Sequence, residues 1–213
     1  MIKRKKNILF YVIGLILLGF VLLTFLVSAF PASVIDRTFS EEVQENQNPT
    51  LDILMKIASW FGYMPYSVIM VLLTAIVFYL FRYKKEALFI LLTLTSGIVS
   101  TVIKVAVDRP RPTKDMVTII EKAGHQSFPS GHTLFYVFFF GFILVLMRHL
   151  KSINVLVRII ITVLCLSLIF MVPISRVYLG AHWFTDVLGG FMLGIICLFI
   201  LSYYYLLKAD NKT

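Results

Sequence analysis

The sequence reads as long apolar runs separated by short polar ones. Six runs have the length of membrane spans, at about 8–30, 63–81, 86–107, 132–149, 155–174 and 183–207. A helix that crosses the hydrocarbon needs about 20 mostly apolar residues. None of the runs alternates with the two-residue period of a barrel strand, and all are too long for one. The pattern therefore predicts an all-α, polytopic membrane protein: one membrane domain over 1–213, built as a bundle of six transmembrane helices. Between the first two runs, 41–48 is polar and reads as a solvated loop. After Pro49 and Thr50, the residues Leu51, Ile53, Leu54, Ile57, Ala58, Trp60 and Phe61 recur at near-helical spacing. Segment 49–61 is thus expected to be a short amphipathic helix. It either lies in the outer membrane interface or caps the bundle. No internal repeat stands out.

Composition sharpens this picture. Hydrophobic residues make up 59% and charged residues 15%, against about 45–50% and 25% in soluble domains. Such a chain cannot clothe itself in polar groups, which excludes a soluble enzyme, a disordered region and a fibrous protein. The 19 phenylalanines suit a lipid-facing surface. Cys165 and Cys197 both lie inside apolar runs and read as small core hydrophobes. They imply no disulfide framework.

The net charge of +9 reports topology rather than nucleic-acid binding, because the charges sit in short clusters between apolar runs. Lys3, Arg4, Lys5 and Lys6 precede the first run. That run exceeds the about 7–15 apolar residues of a signal peptide, so an uncleaved anchor is expected. Arg82, Lys84 and Lys85 form a second cluster. Arg148, Lys151 and Arg158 form a third, and Lys208 and Lys212 a fourth. With six spans these four fall on one side, and the net acidic segment 31–61 falls on the other. The positive-inside rule then places both termini in the cytoplasm of a multi-pass plasma-membrane protein.

The remaining charges gather at the outer ends of the last four spans, where a basic loop runs against that trend. Ionisable groups at membrane depth are costly and mark function. They fall into three groups: Lys104 with Arg111-Pro112, Pro129-Ser130-Gly131-His132, and Ser175-Arg176 with His182 and Asp186. Three converging cations require an anion. The guanidinium fork matches phosphate oxygens, and lysine acts as a point charge. Ser130 is a good N-cap type, Gly131 permits close backbone approach, and a helix N-terminus favours an anion. His182 and Asp186 are four residues apart at the start of a helix and share a face. A carboxylate that accepts Nδ1–H leaves Nε2 as the basic nitrogen. An imidazole so held is a competent nucleophile, and His132, with no carboxylate, suits a general acid. His125, in the outer loop, is a lesser candidate, and His149 has no assigned role. A metal held by His132, His182 and Asp186 would be repelled by Lys104, Arg111 and Arg176, so no metal or cofactor is expected. A structural ion pair of Asp108 with Arg109 or Arg111 explains only part of the charge pattern.

These three groups resemble the signature of the type 2 phosphatidic acid phosphatase family of membrane lipid phosphatases: K-x6-RP, PSGH and SR-x5-H-x3-D. Every signature position is filled, and the resemblance covers about residues 60–207. It implies a six-helix bundle and metal-independent hydrolysis through a phosphohistidine. His182 would be the nucleophile, Asp186 its orienting carboxylate and His132 the general acid. Lys104, Arg111, Ser130, Gly131 and Arg176 would hold the phosphoryl oxygens. The family also contains vanadium-dependent haloperoxidases and soluble acid phosphatases, against which six apolar spans argue. The implied partner is a phosphorylated lipid among membrane lipids: undecaprenyl diphosphate, phosphatidylglycerophosphate or phosphatidic acid. The site would face the extracytoplasmic side, with no obligate protein partner and no nucleic acid. The alternative is a non-catalytic transporter or flippase of an anionic lipid. It leaves the His-x3-Asp pair without a purpose, and it predicts inverted repeats.

Overall fold

The structure is a computed structural model that describes residues 2–124 and 126–210. His125 lies outside the described residues. Those residues form helices α1 (Ile2–Ala29), α2 (Val34–Gln44), α3 (Pro49–Trp60), α4 (Tyr66–Leu80), α5 (Lys84–Leu92), α6 (Thr95–Val107), α7 (Gly131–His149), α8 (Val155–Tyr178) and α9 (Phe184–Asp210), with no strand among them. Five stretches are long and apolar enough to cross a membrane: Asn7–Ala29, Lys84–Val107, Gly131–His149, Val155–Tyr178 and Phe184–Leu207. The chain is a multi-pass membrane protein.

Three expectations take a different form. The span expected at 63–81 is the 15-residue α4, about 22 Å long at 1.5 Å per residue, which is shorter than a hydrocarbon core of about 30 Å. The span expected at 86–107 is two helices. Thr93 Oγ1 donates to the Ile90 carbonyl at 2.6 Å, and Thr95 Oγ1 to that of Leu92 at 2.7 Å, at the turn that separates α5 from α6. The polar segment expected to be a loop is helical as far as Gln44. Ser33 caps α2, its Oγ accepting from the Asp36 N–H at 3.2 Å and donating to the Asp36 carboxylate at 2.8 Å.

The helix expected at 49–61 is α3, capped by Asn48, whose side chain accepts from the Leu51 N–H at 3.0 Å. One side of α3 meets the bundle. Ser59 Oγ lies 2.7 Å from Ser175 Oγ on α8, and Tyr136 of α7 donates to the Ala58 carbonyl at 2.7 Å. The other side is apolar and exposed at Ile53, Ile57 and Trp60.

The core lies along α7, which packs against α8 and α9. In the spanning part of α7, 72% of residues are buried, against 6% in α1. Phe135, Phe138, Phe139, Phe140 and Phe142 all point into this core. The phenylalanines of α7 therefore do not serve the lipid-facing role that composition suggested. They pack against one another, with the Phe135 and Phe139 rings stacked at 5.5 Å. Cys165 is buried and Cys197 half-buried, and neither is in a disulfide. The end of α6, the start of α7, the end of α8 and the start of α9 carry the three charged groups.

Candidate active site

Asp108 adopts the left-handed conformation (φ 49°) and closes α6. Arg109-Pro110-Arg111-Pro112 follows. Proline holds the residue before it extended, so arginines two apart reach different neighbours. Arg109 turns into the protein and is 2% exposed. Arg111 turns to the site. Its Nε donates to the Gly124 carbonyl at 3.1 Å, and its Nη1 donates to the Ala181 carbonyl at 2.5 Å. Its Nη1 also lies 3.2 Å from His182 Nε2. Lys104, one turn before the end of α6, donates to the Gln126 carbonyl at 2.6 Å.

Ser130 caps α7, as its residue type predicts. Its Oγ accepts from the Thr133 hydroxyl at 3.1 Å and lies 3.5 Å from the Thr133 N–H. Its backbone N–H donates to the Asp186 carbonyl at 2.9 Å, which fastens the start of α7 to the start of α9. His132 sits one position inside α7. Its ring packs edge-on against Tyr63 at 4.6 Å, and its Nε2 is buried without a hydrogen-bond partner among the described residues. Gly62 makes this approach possible, since a Cβ there would sit 2.2 Å from the ring.

Arg176 ends α8 and is 1% exposed. Its Nη1 donates to the Tyr63 hydroxyl at 2.9 Å, and its Nη2 pairs with Glu121 at 2.9 Å. Its Nε has no partner among the described residues. The turn to α9 contains Gly180 at φ +68°, where a Cβ would meet the Thr118 carbonyl at 2.3 Å. His182 follows on this turn, 3% exposed.

The imidazole lies between the two kinds of group. Its Nδ1 is 3.4 Å from Asp186 Oδ2. Asp186 is wholly buried: Oδ2 accepts from the Trp183 N–H at 2.9 Å and from the Ser127 hydroxyl, and Oδ1 pairs with Arg109 at 2.5 Å. An Nε2 that accepts from Arg111 places the ring proton on Nδ1, toward the carboxylate. Burial, then the nearby Arg111, Lys104 and Arg176 charges, hold the His182 pKa well below the usual histidine value. Burial also pushes Arg111 down to about 10.

A cavity of about 690 Å³ opens beside these groups. Lys104, Arg111, Gly131 and His132 line it together with Tyr63 and Phe135. His182 and Arg176 are not among its walls. They lie behind Arg111 and Tyr63, in direct contact with them. Val105 and Met64 also line the cavity and are 66% and 75% exposed, so its mouth lies on the apolar flank of the bundle.

All eight residues singled out by the sequence lie at this end of the bundle. Five more join them: Asp36, Tyr63, Arg109, Glu121 and Ser127. The rival structural reading, an ion pair of Asp108 with Arg109 or Arg111, does not form among the described residues. Asp108 accepts from Gln126 at 3.1 Å, and Arg109 pairs with Asp36 and Asp186.

The profile of the PAP2 superfamily matches residues 85–210, which include all three groups. The chain belongs to the PAP2 superfamily. Phosphatidylglycerophosphatase B of Bacillus subtilis (strain 168) is 32% identical over 134 residues, covering 58% of this chain and 61% of that one. The aligned region thus spans about three fifths of that relative. The fold is that of a transmembrane PAP2-type phosphatidylglycerolphosphate phosphatase from Bacillus subtilis. The TM-score is 0.81 at 23% identity, over 94% of this chain and 96% of that one. It also resembles Aquifex aeolicus LpxE, with a TM-score of 0.66 at 20% identity over 82% of this chain and 99% of that one.

Proposed function

We propose that this PAP2 protein removes phosphate from phosphorylated membrane lipids without a metal ion, through a phosphohistidine on His182. One observation carries the reading: His182 has a buried carboxylate at Nδ1 and a guanidinium at Nε2, 3.4 and 3.2 Å away. That arrangement fixes the tautomer and directs the nucleophilic nitrogen toward a phosphate site.

The phosphoryl oxygens accept from Lys104, Arg111 and Arg176, from the Ser130 hydroxyl and from the Gly131 N–H. Arg111 shifts its donor from Nε2 to a phosphoryl oxygen and frees the lone pair. Nε2 then attacks phosphorus in line, and the P–O bond to the lipid breaks. The three cations match the charge on the equatorial oxygens. His132 protonates the departing lipid oxygen. The phosphate dianion provides the counter-charge for its imidazolium. In the second step the neutral His132 takes a proton from water, the hydroxide attacks phosphorus, and the P–N bond breaks. Inorganic phosphate leaves, and His182 is neutral again.

The lipid enters sideways through the exposed mouth at Val105 and Met64. Its headgroup is a diphosphate or monophosphate: undecaprenyl diphosphate, phosphatidylglycerophosphate or phosphatidic acid. The name of the Bacillus subtilis relative favours the second. The basic clusters in the sequence support a topology with both termini in the cytoplasm and the site on the extracytoplasmic side of the plasma membrane. On this topology the short α4 is the sixth span.

The test is phosphate release by detergent-purified protein from each of the three lipids, with EDTA, beside His182→Ala. Release that survives EDTA and disappears in the variant is expected. Loss on chelation alone overturns the metal-free account, and no release from any lipid favours the transport alternative.

A further inference from the structure

We propose that Asp36 and Arg109 are positioning residues for His182, acting through Asp186, so that helix α2 is part of the catalytic assembly. The inference rests on the phosphohistidine reading and deepens it. Asp36 lies outside the residues matched to the PAP2 superfamily and 150 positions before Asp186 in the chain.

Arg109 bridges two carboxylates. Its Nη2 pairs with Asp36 Oδ2 at 2.7 Å and its Nη1 with Asp186 Oδ1 at 2.5 Å. Its Nη1 also donates to Thr185 Oγ1 at 2.7 Å, and its Nε to the Pro31 carbonyl at 3.0 Å. Asp36 is equally engaged. Its Oδ1 accepts from the Thr185 N–H at 2.9 Å and from the Thr185 hydroxyl at 2.8 Å, and its Oδ2 accepts from Ser33 at 2.8 Å. Asp36 and Asp186 are wholly buried, and Arg109 is 2% exposed.

One carboxylate would neutralise a buried arginine. The second leaves this cluster with a net charge of −1 on the Nδ1 side of His182, opposite the three cations on the Nε2 side. Buried charge is retained only where it is paired and hydrogen-bonded. Here the surplus negative charge faces the ring that becomes positive when Nε2 binds phosphorus. Arg109 also immobilises Oδ1, so that Oδ2 stays aimed at Nδ1.

Asp36 is not needed merely to attach α2. Gln44 holds that helix independently: its amide donates to the Thr118 carbonyl at 2.8 Å and the Tyr178 carbonyl at 2.9 Å, and it accepts from the Thr118 N–H at 3.0 Å.

The experiment compares the full-length protein with Asp36→Asn and with the double variant Asp36→Asn/Arg109→Met, in detergent. It reads kcat, KM, the Ki of inorganic phosphate and the pH dependence of kcat/KM. His182 faces Asp186 of α9, Lys104 of α6, Arg176 of α8, His132 of α7, and Arg111 and Ser127 of the connecting loop. Neither variant alters any of these. Asp36→Asn discharges the cluster to zero. We expect kcat to fall about tenfold or more, as when a residue behind a reacting group is removed. The phosphate Ki should stay within about twofold, because the cations are intact. The acid limb of kcat/KM should move to lower pH, because a less negative neighbourhood lowers the histidine pKa. The double variant restores the −1 charge but frees Oδ1. Its acid limb should return to the wild-type position while kcat remains low.

A kcat like that of the wild type in either variant overturns the proposal. So does a parallel loss of kcat and phosphate binding with an unmoved limb, which marks a structural role only. If Asp36→Asn yields no folded protein, the double variant carries the same test through its kcat and Ki. An inactive wild-type protein refutes the phosphohistidine reading, and this inference with it. An active wild type with indifferent variants refutes this inference alone.

Discussion

The two sides of His182 are built differently. On the Nδ1 side Asp186, Arg109, Asp36, Thr185 and Ser127 satisfy one another at distances no longer than 2.9 Å within the ion-pair cluster. On the Nε2 side, His132 Nε2 and Arg176 Nε are buried with no partner among the described residues. Buried polar atoms are nearly always hydrogen-bonded, so an orphan calls for an explanation. The saturated side is complete in the resting protein. In the proposed mechanism the unsaturated side is the binding site that a phosphate would complete. On that reading the proposed nucleophile is rigid on one flank and ligand-ready on the other, which suits electrostatic preorganisation.

Substitutions on the two sides should therefore fail in different ways. His182→Ala removes the atom that both sides serve, and phosphate release from every lipid should fall to background. His132→Ala removes the proposed general acid, with an expected effect of about 10²–10⁴-fold. The loss should be larger for monophosphate lipids, which expel an alkoxide, than for diphosphates, which expel a phosphate monoester. Equal losses of kcat on both would sink that role. Arg176→Ala should cost about 10²–10³-fold in kcat/KM and weaken inhibition by inorganic phosphate in parallel, because it removes a proposed phosphate ligand on the open side.

Ser127→Ala acts on the closed side and removes one of several donors to Asp186. A loss of about tenfold, near 1.4 kcal/mol, is expected in kcat, with phosphate inhibition unchanged. The smallest effect is on pH. The free His182 has a lowered pKa and is already neutral below the usual histidine range. The acid limb of kcat/KM, which reports the free enzyme, should lie well below pH 6.5. A midpoint at or above that value would mean that the three cations do not act on His182 as described.

The open side was legible in the sequence, because its residues sit in short motifs at helix ends. Ser130 announces a cap, the four-residue spacing brings His182 to Asp186 although His182 stands on the turn before α9 rather than on the helix, and Lys104 precedes a proline-stiffened turn. Of the closed side only Asp186 was. Arg109 and Asp36 are 73 residues apart, and no local pattern ties a loop arginine to an aspartate in a distant helix. Arg109 stands next to Asp108, and that neighbour suggested the wrong pair. One signal was present: Ser33 three residues before Asp36 is a capping pattern, and it marks the start of α2, whose end runs into the segment 41–48 that polarity suggested was a loop. Hydropathy also hid the turn at Thr93, since the threonine hydroxyls that bond back to the helix sit among leucines. The phenylalanines of α7 show a related limit, because an apolar run does not reveal whether it faces lipid or protein.

The most direct test of the account is to trap the phosphorylated protein. Lipid labelled in its terminal phosphate is mixed rapidly with the enzyme and quenched in base, where phosphohistidine survives, and the modified residue is located by mass spectrometry. The account predicts a phosphoryl group on His182 that forms and decays with turnover and is absent from His182→Ala. Turnover with no labelled protein at any time, or label on another residue, would contradict it.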